Sequence, residues 1–201
     1  MEIFLMRHGE TPGNARNCYS GGGSDEPLSP VGERLARASG VHPEVETVFV
    51  TPMLRTKQTA RICFPNAGQT VVEGLQEMHF GDFEGRTADE MEHDADYRAW
   101  VDGGCVGVCP NGESIESFGR RVYGAFVPFV QSLLDAGDTR AFVVMHGGTI
   151  TALLKLFADP ERSFYEWFMP NCGGYRVVID EDVWQKEKRF SAYESFPALL
   201  V

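Results

Sequence analysis

The sequence predicts an α/β fold, a three-layer α/β/α sandwich built around a mostly parallel sheet. Three observations predict it. Strand-like runs and amphipathic segments alternate along most of the chain, and this order favours a parallel sheet. The strand-like runs are short and continuously apolar, which is typical of strands covered on both faces. The 201 residues are enough for one substantial core, so a single domain over residues 1–201 is expected.

Apolar runs and helix-start signals mark the elements in the first part of the chain. Residues 3–6 form a short apolar run. Ser29 before Pro30, and Thr51 before Pro52, each place a hydroxyl residue at an N-cap and a proline at the first helical position. The predicted elements are a strand at residues 3–6, a long loop with glycines at 21–23, a helix from 30 to about 39, a strand at 47–50 and a helix through about 63.

A long amphipathic helix is predicted from Ser114 onward, because apolar residues recur there at spacings of three and four. Pro128 should kink this helix, since its ring removes one backbone hydrogen bond, and Gly137 should end it. The elements predicted to follow are a strand at residues 141–145, a helix from 147 to about 158, and a hairpin at the edge of the sheet, formed by residues 175–179 and 184–193.

The charge of the chain excludes two classes of partner. It has 18 Lys and Arg against 29 Asp and Glu, a net charge of -11, which repels nucleic acid and anionic membrane surfaces at long range. The first apolar run is too short for a secretory signal, and no later run approaches a membrane span. We therefore expect a cytoplasmic protein without a nucleic-acid or membrane partner, and we leave a homodimer open.

The five cysteines are scattered and lack the spacing of a disulfide framework, so reduced thiols are expected. Cys105 and Cys109 are close enough in sequence to suggest a metal site. No neighbouring pair completes the four ligands of structural zinc. We therefore predict no metal and no cofactor.

Basic side chains follow three of the predicted strands. Arg7 and His8 follow the first, Arg55 lies one turn into the helix after the second, and His146 closes the strand at 141–145. In open α/β sheets, ligands bind beyond the carboxyl ends of the strands, where helix N-termini point free N–H groups outward. Taken singly, each residue is more often a solvated or satisfied polar group. The ordered set indicates that they meet in one site.

Two guanidiniums, two imidazoles and helix N-termini in one place suit a compact dianion. Phosphate is the natural candidate, because arginine pairs with its oxygens bidentately. A neutral imidazole also carries a lone pair at physiological pH and can act as a nucleophile. The side chains would supply the positive charge that phosphoryl transfer needs, so this chemistry requires no metal.

The ordered motifs resemble those of the histidine phosphatase superfamily, also called the phosphoglycerate mutase-like family, over most of the chain. The run Arg-His-Gly-Glu-Thr at residues 7–11 is the most specific of them. The resemblance implies the phosphoglycerate mutase-like form of the α/β/α sandwich. The other matching blocks are residues 25–32, 51–60, 75–85, 110–114 and 145–148.

The resemblance also implies roles for individual residues. His8 would be phosphorylated, and Glu77 would donate a proton to the leaving oxygen. Glu84 and Asp82 lie in the same block and are rival acids. The residues implied to bind the phosphoryl group are Arg7, Arg55 and His146, with further hydrogen bonds from Asn14 and from the chain at Ser20, Gly21 and Gly147.

Three departures from the family pattern are visible. Thr51 stands where the family usually has serine, and Phe83 stands where tryptophan is common. The stretch at residues 19–25 is one residue longer than its counterpart. Which residue of this loop contacts phosphate therefore stays open.

Within the family, the resemblance favours a phosphatase that acts on a small-molecule phosphate ester. Cofactor-dependent phosphoglycerate mutases share the site but are generally longer. Residues 81–87 and 146–150 are most similar to α-ribazole phosphatase, an enzyme of the cobalamin pathway, and to its broad-specificity bacterial relatives. Two alternatives stay open: mutase-type phosphoryl transfer, and a non-catalytic member that binds phosphorylated ligands or proteins.

Residues 86–112 are predicted to form a lid over the substrate. Residues 89–102 include six acidic side chains against only Arg98, and they would repel a multiply phosphorylated substrate. We expect a monoester with a neutral or weakly charged remainder, stacked on Tyr97 or Trp100. The alternative is that the acids solvate a helix and the two aromatic rings belong to the core.

Overall fold

The computed structural model describes residues 1–159, 164–167 and 169–196. In this part of the chain, one sheet is formed by the strands β1 (Glu2–Arg7), β2 (Thr47–Val50), β3 (Gly68–Val71), β4 (Arg140–Met145), β5 (Gly174–Val178) and β6 (Ala192–Phe196). The spatial order is β3-β2-β4-β1-β5-β6. The pairs β1·β4, β2·β4 and β2·β3 are parallel, whereas β5 is antiparallel to both β1 and β6. The predicted mostly parallel α/β sheet is confirmed.

Helices cover both faces of the sheet. The α-helices are α1 (Pro12–Ala15), α2 (Pro30–Ala38), α3 (Leu54–Cys63), α4 (Ala95–Asp102), α5 (Ile115–Asp135), α6 (Gly147–Phe157) and α7 (Glu181–Glu187). Short 3-10 helices occupy Gly81–Phe83, Asp89–Met91 and Phe164–Trp167. One core lies between the sheet and α2 and α3, and the larger core lies between the sheet and α5, α6 and α7. None of the helices in the described residues is long and apolar enough to cross a membrane.

The alternation of side chains along β1 explains why the sheet needs both layers. Ile3 and Leu5 are fully buried in the larger core. Met6 points to the opposite face and packs in the core beneath α2 and α3. Successive strand residues face opposite sides of a sheet, so a continuously apolar strand is stable only when both faces are covered.

Several predicted elements have the expected ends. Ser29 caps α2 by accepting the N–H of Gly32, and Ser114 caps α5 in a capping box. Pro128 lies inside α5, and the helix continues through that residue to Asp135. Gly137 follows with a φ of 75°, a backbone conformation that glycine adopts readily.

The predicted start of α3 at Thr51-Pro52 is wrong. The helix begins at Leu54, and the residue before it, Met53, makes no side-chain cap. The Thr51 hydroxyl is bonded elsewhere, to the ring of His146 at 2.9 Å. The cap comes from a distant loop, where the Asp25 carboxylate accepts the N–H of Leu54 at 2.6 Å.

The predicted edge hairpin is correct in kind but wrong in its second strand. Residues 174–178 and 192–196 pair antiparallel at the edge of the sheet. The segment from 184 was predicted as strand, but Trp184 belongs to α7 and is fully buried. Asp180 caps this helix by accepting the N–H of Val183. A helix fits here because it turns the Trp184 ring into the larger core.

Candidate active site

The register of β1 and β4 places two histidines side by side. Arg7 pairs with Met145 at the ends of these parallel neighbours, so His8 and His146 are the next residues at the same edge of the sheet. Their ring centroids are 5.3 Å apart, and the rings meet edge to face at 65°. Both rings are buried. The sequence-distant histidines therefore meet as predicted.

Arg55 joins the two histidines from α3. Its side chain is buried, and its Nε donates to Nδ1 of His146 at 3.3 Å. Its Nη1 donates to the carbonyl oxygen of Ser24 at 2.7 Å, and its Nη2 donates to that of Gly21 at 2.9 Å. One guanidinium thus fixes both an imidazole and the glycine-rich loop. The planar fork of arginine suits it to this task.

A pocket of about 250 Å³ opens beside these residues. Three of the predicted site residues do not line it: Arg55 and His146 are buried next to the residues that do, and the Gly21 carbonyl holds Arg55. The pocket is lined by Arg7, His8, Asn14, Ser20, Glu77, Gly147, Gly148, Thr151, Trp167 and Met169. The first five of these and Gly147 are among the residues predicted from the sequence.

His8 is held as a neutral imidazole with its lone pair on Nε2. Its Nδ1 lies 2.6 Å from the carbonyl oxygen of Gly9. Because a carbonyl can only accept, Nδ1 carries the hydrogen and Nε2 carries the lone pair. Burial, and then the charges of Arg55 and Arg7, lower the pKa of His8 well below its ordinary 6.5, although the bond to Gly9 acts in the opposite direction. The ring is therefore a competent nucleophile.

His146 is also neutral, and both of its ring nitrogens are already bonded. Nδ1 accepts from Arg55, so the hydrogen is on Nε2, which donates to the hydroxyl of Thr51 at 2.9 Å. Burial is the largest of the effects that lower its pKa well below 6.5, followed by the charge of Arg55. The Thr51 hydroxyl is itself bonded to that of Thr56 at 3.0 Å. Thr51, which stands in place of the usual serine, therefore orients this ring.

Glu77 is a buried carboxyl group at the wall of the pocket. Its Oε2 accepts the N–H of Gly148 at 2.8 Å, and its Oε1 accepts the N–H of Met78 at 3.0 Å. A side chain at Gly148 would collide with this carboxylate. Burial raises the pKa of Glu77 above its ordinary 4.5, against the opposing effects of the two N–H bonds and of Arg55 and Arg7. A raised pKa suits a proton donor.

The two rival acids have structural positions. Glu84 accepts three backbone N–H groups, those of Gly21, Gly23 and Phe80, at 2.8 to 3.1 Å. Asp82 is bonded to the side-chain amide of Asn111, through both oxygens at 3.0 Å. Neither carboxylate lines the pocket. Geometry therefore ranks Glu77 first, where the sequence block alone could not.

Arg7 and Asn14 line the pocket and carry donors that could bind an anion. Nη1 of Arg7 is bonded to the carbonyl oxygen of Met169 at 3.0 Å, but its buried Nε has no hydrogen-bond partner among the described residues. Asn14 accepts at Oδ1 from the N–H of Thr11 and from Asn171, which leaves its amino group as the donor for the pocket. A buried donor without a partner, such as Nε of Arg7, is costly, which favours an oxyanion as its partner.

The two aromatic residues predicted to stack on substrate, in the segment predicted as a lid, pack into the core instead. None of the residues that line the pocket comes from 86–112. Tyr97 and Trp100 are 6% and 8% exposed and lie in the larger core, where each ring contacts Phe83. The predicted stacking of substrate on these rings is therefore wrong, because their faces are already packed. The alternative, a solvated helix with core aromatics, is the one that the structure supports.

Several contributors to the site carry no local sequence signal. Asn171 donates from its side-chain amide to the carbonyl of His8 at 3.0 Å, and the hydroxyl of Thr59 accepts the N–H of Gly9 at 2.9 Å. Trp167 and Met169 form a buried apolar wall of the pocket. Among the described residues, no cluster of His, Cys, Asp and Glu is arranged to hold a metal ion.

Comparison of this sequence with models of known protein families identifies the class of protein to which the fold and the site belong. The model of the histidine phosphatase superfamily, branch 1, matches residues 3–191. The chain therefore belongs to the histidine phosphatase superfamily, a family of phosphatase- and mutase-type enzymes.

Individual relatives carry names of both types. A Yersinia enterocolitica protein named "Probable phosphoglycerate mutase GpmB" is 34% identical over 192 residues, which cover 92% of this chain and 87% of the relative. The α-ribazole phosphatase of Shigella flexneri has a similar structure, with a TM-score of 0.73, 26% identity, and 90% and 92% of the two chains covered. The phosphoglycerate mutase of Thermus thermophilus gives a TM-score of 0.67 at 25% identity, with 98% and 99% covered.

Proposed function

We propose that this protein is a phosphatase that hydrolyses a small-molecule phosphate monoester through a phosphohistidine at His8. One observation carries the proposal. His8, whose Nε2 carries the lone pair, and Glu77, whose pKa is raised, line the same pocket as Arg7, whose Nε has no hydrogen-bond partner among the described residues. A nucleophile, a proton donor and an anion-binding donor are the three parts that this reaction needs.

In the first step, Nε2 of His8 attacks the phosphorus and the bond from phosphorus to the ester oxygen breaks. Glu77 gives its proton to the departing oxygen, so the leaving group departs as a neutral alcohol. Arg7 and the amino group of Asn14 donate to the phosphoryl oxygens, where charge accumulates in the transition state. The Gly9 carbonyl keeps the hydrogen on Nδ1 and stabilises the positive charge that develops on the ring.

In the second step, water attacks the phosphorus of phosphohistidine from the side that the alcohol has left. The carboxylate of Glu77 takes a proton from this water, and the bond from Nε2 to phosphorus breaks. Inorganic phosphate forms, His8 regains its lone pair and Glu77 regains its proton. The same carboxyl group therefore acts first as acid and then as base.

For the substrate, the pocket favours an ester whose remainder is uncharged. Trp167 and Met169 supply apolar surface, and Glu77 is the acidic side chain that lines the pocket. A second phosphate would find no additional cation among the described lining residues other than Arg7. The likeness to the Shigella flexneri α-ribazole phosphatase makes α-ribazole 5'-phosphate, and with it a cytoplasmic role in cobalamin synthesis, the first candidate.

Mutase-type transfer is the second candidate, because the Yersinia enterocolitica relative is named as a phosphoglycerate mutase. A mutase must keep water away from phosphohistidine while the substrate turns over. None of the residues that line the pocket comes from the predicted lid. Among the described residues, the predicted lid therefore supplies no cover of this kind, and water access to the intermediate would favour hydrolysis.

Turnover of p-nitrophenyl phosphate by purified protein tests the proposal. Wild-type protein is expected to turn over and to give, after a rapid alkaline quench, a phosphorylated peptide that contains His8. His8→Ala should abolish both signals. His93→Ala is the matched control, because His93 is exposed and lies outside the pocket, and it should behave as wild type. Turnover that survives in His8→Ala would refute the mechanism.

A panel of esters separates the two candidates. We expect α-ribazole 5'-phosphate to be hydrolysed with a higher kcat/KM than sugar bisphosphates, and 3-phosphoglycerate to give inorganic phosphate instead of 2-phosphoglycerate. Preference for a bisphosphate would contradict the proposed substrate class. Interconversion of the phosphoglycerates faster than their hydrolysis would show a mutase.

A further inference from the structure

Arg121 projects from α5 onto the loop that carries Glu77. Its Nη1 donates to the carbonyl oxygens of Gly74 at 2.9 Å and Gln76 at 3.1 Å, and its Nη2 donates to that of Glu77 itself at 3.1 Å. The loop from 72 to 80 has neither helix nor strand. Three hydrogen bonds from one guanidinium therefore satisfy backbone carbonyl groups that a helix or a strand would otherwise satisfy.

Glu113 holds the guanidinium in place from the other side. Its carboxylate accepts from Nε of Arg121 at 2.8 Å and from Nη2 at 2.7 Å, a two-point ion pair. The same carboxylate accepts the N–H of His79 at 3.0 Å. Burial acts to raise the pKa of Glu113, but the hydrogen bonds from Arg121 and His79 outweigh it and lower the pKa. The ion pair therefore contacts the backbone of the loop on both sides of Glu77, at Gln76 and at His79.

The contacts reach Glu77 through the backbone, not through its carboxyl group. The positive charges that act on the pKa of that carboxyl are those of Arg55 and Arg7. Arg121 touches the main chain of the Glu77 loop and does not line the pocket. Its effect on the acid is consequently one of position, because the direction of a short carboxylic side chain follows from the placement of its backbone.

We propose that Arg121, locked by Glu113, is a positioning residue that sets the distance over which Glu77 exchanges its proton with the leaving oxygen and with water. This inference rests on the proposed phosphatase mechanism. Proton transfer demands hydrogen-bond contact, and a displacement of about 1 Å at a catalytic group costs about 100-fold in rate. Loss of Arg121 should therefore affect the steps that need the proton and spare those that do not.

Leaving groups of different basicity distinguish these steps. An alkyl phosphate releases a strongly basic oxygen and needs the proton of Glu77, whereas 2,4-dinitrophenyl phosphate releases a stable anion without it. The ratio kcat/KM reports phosphorylation of His8 alone, while kcat also includes hydrolysis of phosphohistidine. The two substrates and the two constants together isolate the acid step from the base step.

The experiment compares Arg121→Met with Arg120→Met. Arg120 is the adjacent residue on α5, is exposed, and pairs with Glu116 on the same helix, so it is a matched control. For Arg121→Met we expect kcat/KM to fall about 100-fold with β-glycerophosphate and less than about threefold with 2,4-dinitrophenyl phosphate. With the latter substrate kcat should fall and a burst of dinitrophenol should appear. Arg120→Met should match wild type with both.

Two further variants keep the test decisive if Arg121→Met fails to fold. Arg121→Lys retains the charge but not the planar fork, and Glu113→Gln retains Arg121 but removes its ionic partner. Both variants should show the same selective loss of activity with the basic leaving group, to a smaller degree. Equal losses with both substrates would reduce Arg121 to a general structural role and overturn the inference. Full activity in Arg121→Lys would also overturn it, because charge alone would then suffice.

Glu77→Gln separates failure of this inference from failure of the mechanism. If Glu77→Gln discriminates against the basic leaving group and the Arg121 variants do not, Glu77 is the acid and the positioning role is wrong. If Glu77→Gln shows no discrimination, the proposed acid itself is wrong. The expected result is a shared pattern, with the larger effect in Glu77→Gln.

Discussion

The imidazole of His146 stands edge-on to that of His8, at 5.3 Å between ring centroids, and it is the more tightly constrained of the two. His146 is bonded at both ring nitrogens, to Arg55 and Thr51. Among the residues that the structure describes, His8 is bonded at Nδ1 alone. The same pair of neutral rings thus contains one fixed support and one ring with a free lone pair, and this asymmetry assigns the nucleophile.

Replacement of Thr51 by valine should destabilise the protein and impair catalysis. The change keeps the volume but leaves Nε2–H of the buried His146 without an acceptor, at a cost of about 1–3 kcal/mol. Thr51→Ser restores the hydroxyl usual in the family and should keep both stability and activity. Urea denaturation and p-nitrophenyl phosphate turnover measure the two effects. Equal behaviour of the two variants would show that the hydroxyl does not support His146.

The activity of the enzyme should fall as the pH rises through the pKa of Glu77. This pKa is raised above 4.5, and the acid is a donor only while it is protonated. In Glu77→Gln, the alkaline limb of kcat/KM for phenyl phosphate should flatten. The ionisation of the ester is common to both proteins, so the difference between their profiles isolates the enzyme group. If the alkaline limb of kcat/KM is unchanged in Glu77→Gln, the limb reports the ionisation of another group.

The free energy of unfolding should decrease as the pH falls below about 6.5. The pKa values of His8 and His146 are lowered in the folded protein, so the unfolded chain takes up protons that the folded protein does not. Each histidine contributes up to about 1.4 kcal/mol per pH unit over this range. The raised pKa of Glu77 acts in the opposite direction above 4.5.

Urea titrations between about pH 7 and about pH 5 test this linkage. His8→Gln and His146→Asn each remove one titrating group, so the slope of stability against pH should be smaller in each variant than in wild type. Because Glu77 is present in all three proteins, its contribution cancels in the comparison. Identical slopes would mean that the imidazoles are protonated in the folded protein.

Glu84→Ala should weaken substrate binding without altering proton transfer. The change releases the N–H groups of Gly21, Gly23 and Phe80, and the Gly21 carbonyl is one that Arg55 holds. We expect a loss of about 1–3 kcal/mol in stability and a higher KM, equal for basic and stable leaving groups.

Asp82→Ala is the control for Glu84→Ala, because Asp82 holds only the exposed Asn111 among the described residues. Its stability and KM should stay near those of wild type. A loss confined to basic leaving groups in the Glu84 variant would contradict this prediction and give Glu84 a part in the proton-transfer step.

The sequence was informative wherever local chemistry and the edge of a parallel sheet coincide. Arg7, His8 and His146 could be placed together because each follows an apolar strand, and parallel strands end on the same side. Their hydrogen bonds could not be predicted. The bond between Arg55 and His146 joins residues far apart in the chain, and its geometry depends on how α3 packs against β4.

The errors arose where a tertiary contact outweighed a local signal. Thr51 before Pro52 has the pattern of a helix cap, but its hydroxyl is taken by His146 and the helix starts later. Tyr97 and Trp100 lie in an acidic stretch that predicted a surface lid. Their rings are buried, because removing large aromatic surface from water stabilises the folded protein. No local pattern marks β3 either, since its four residues are exposed.

The pairing of Arg7 with Met145 at the ends of β1 and β4 also has a consequence for how the protein folds. His8 and the partner strand β4 are separated by most of the residues between Arg7 and Met145, including β2, β3 and α5. Closing so long a stretch before the two strands can zip together is entropically costly, and such topologies fold slowly. Until β4 has docked against β1, His146 is not beside His8, so we expect catalytic turnover to appear only after this slow pairing.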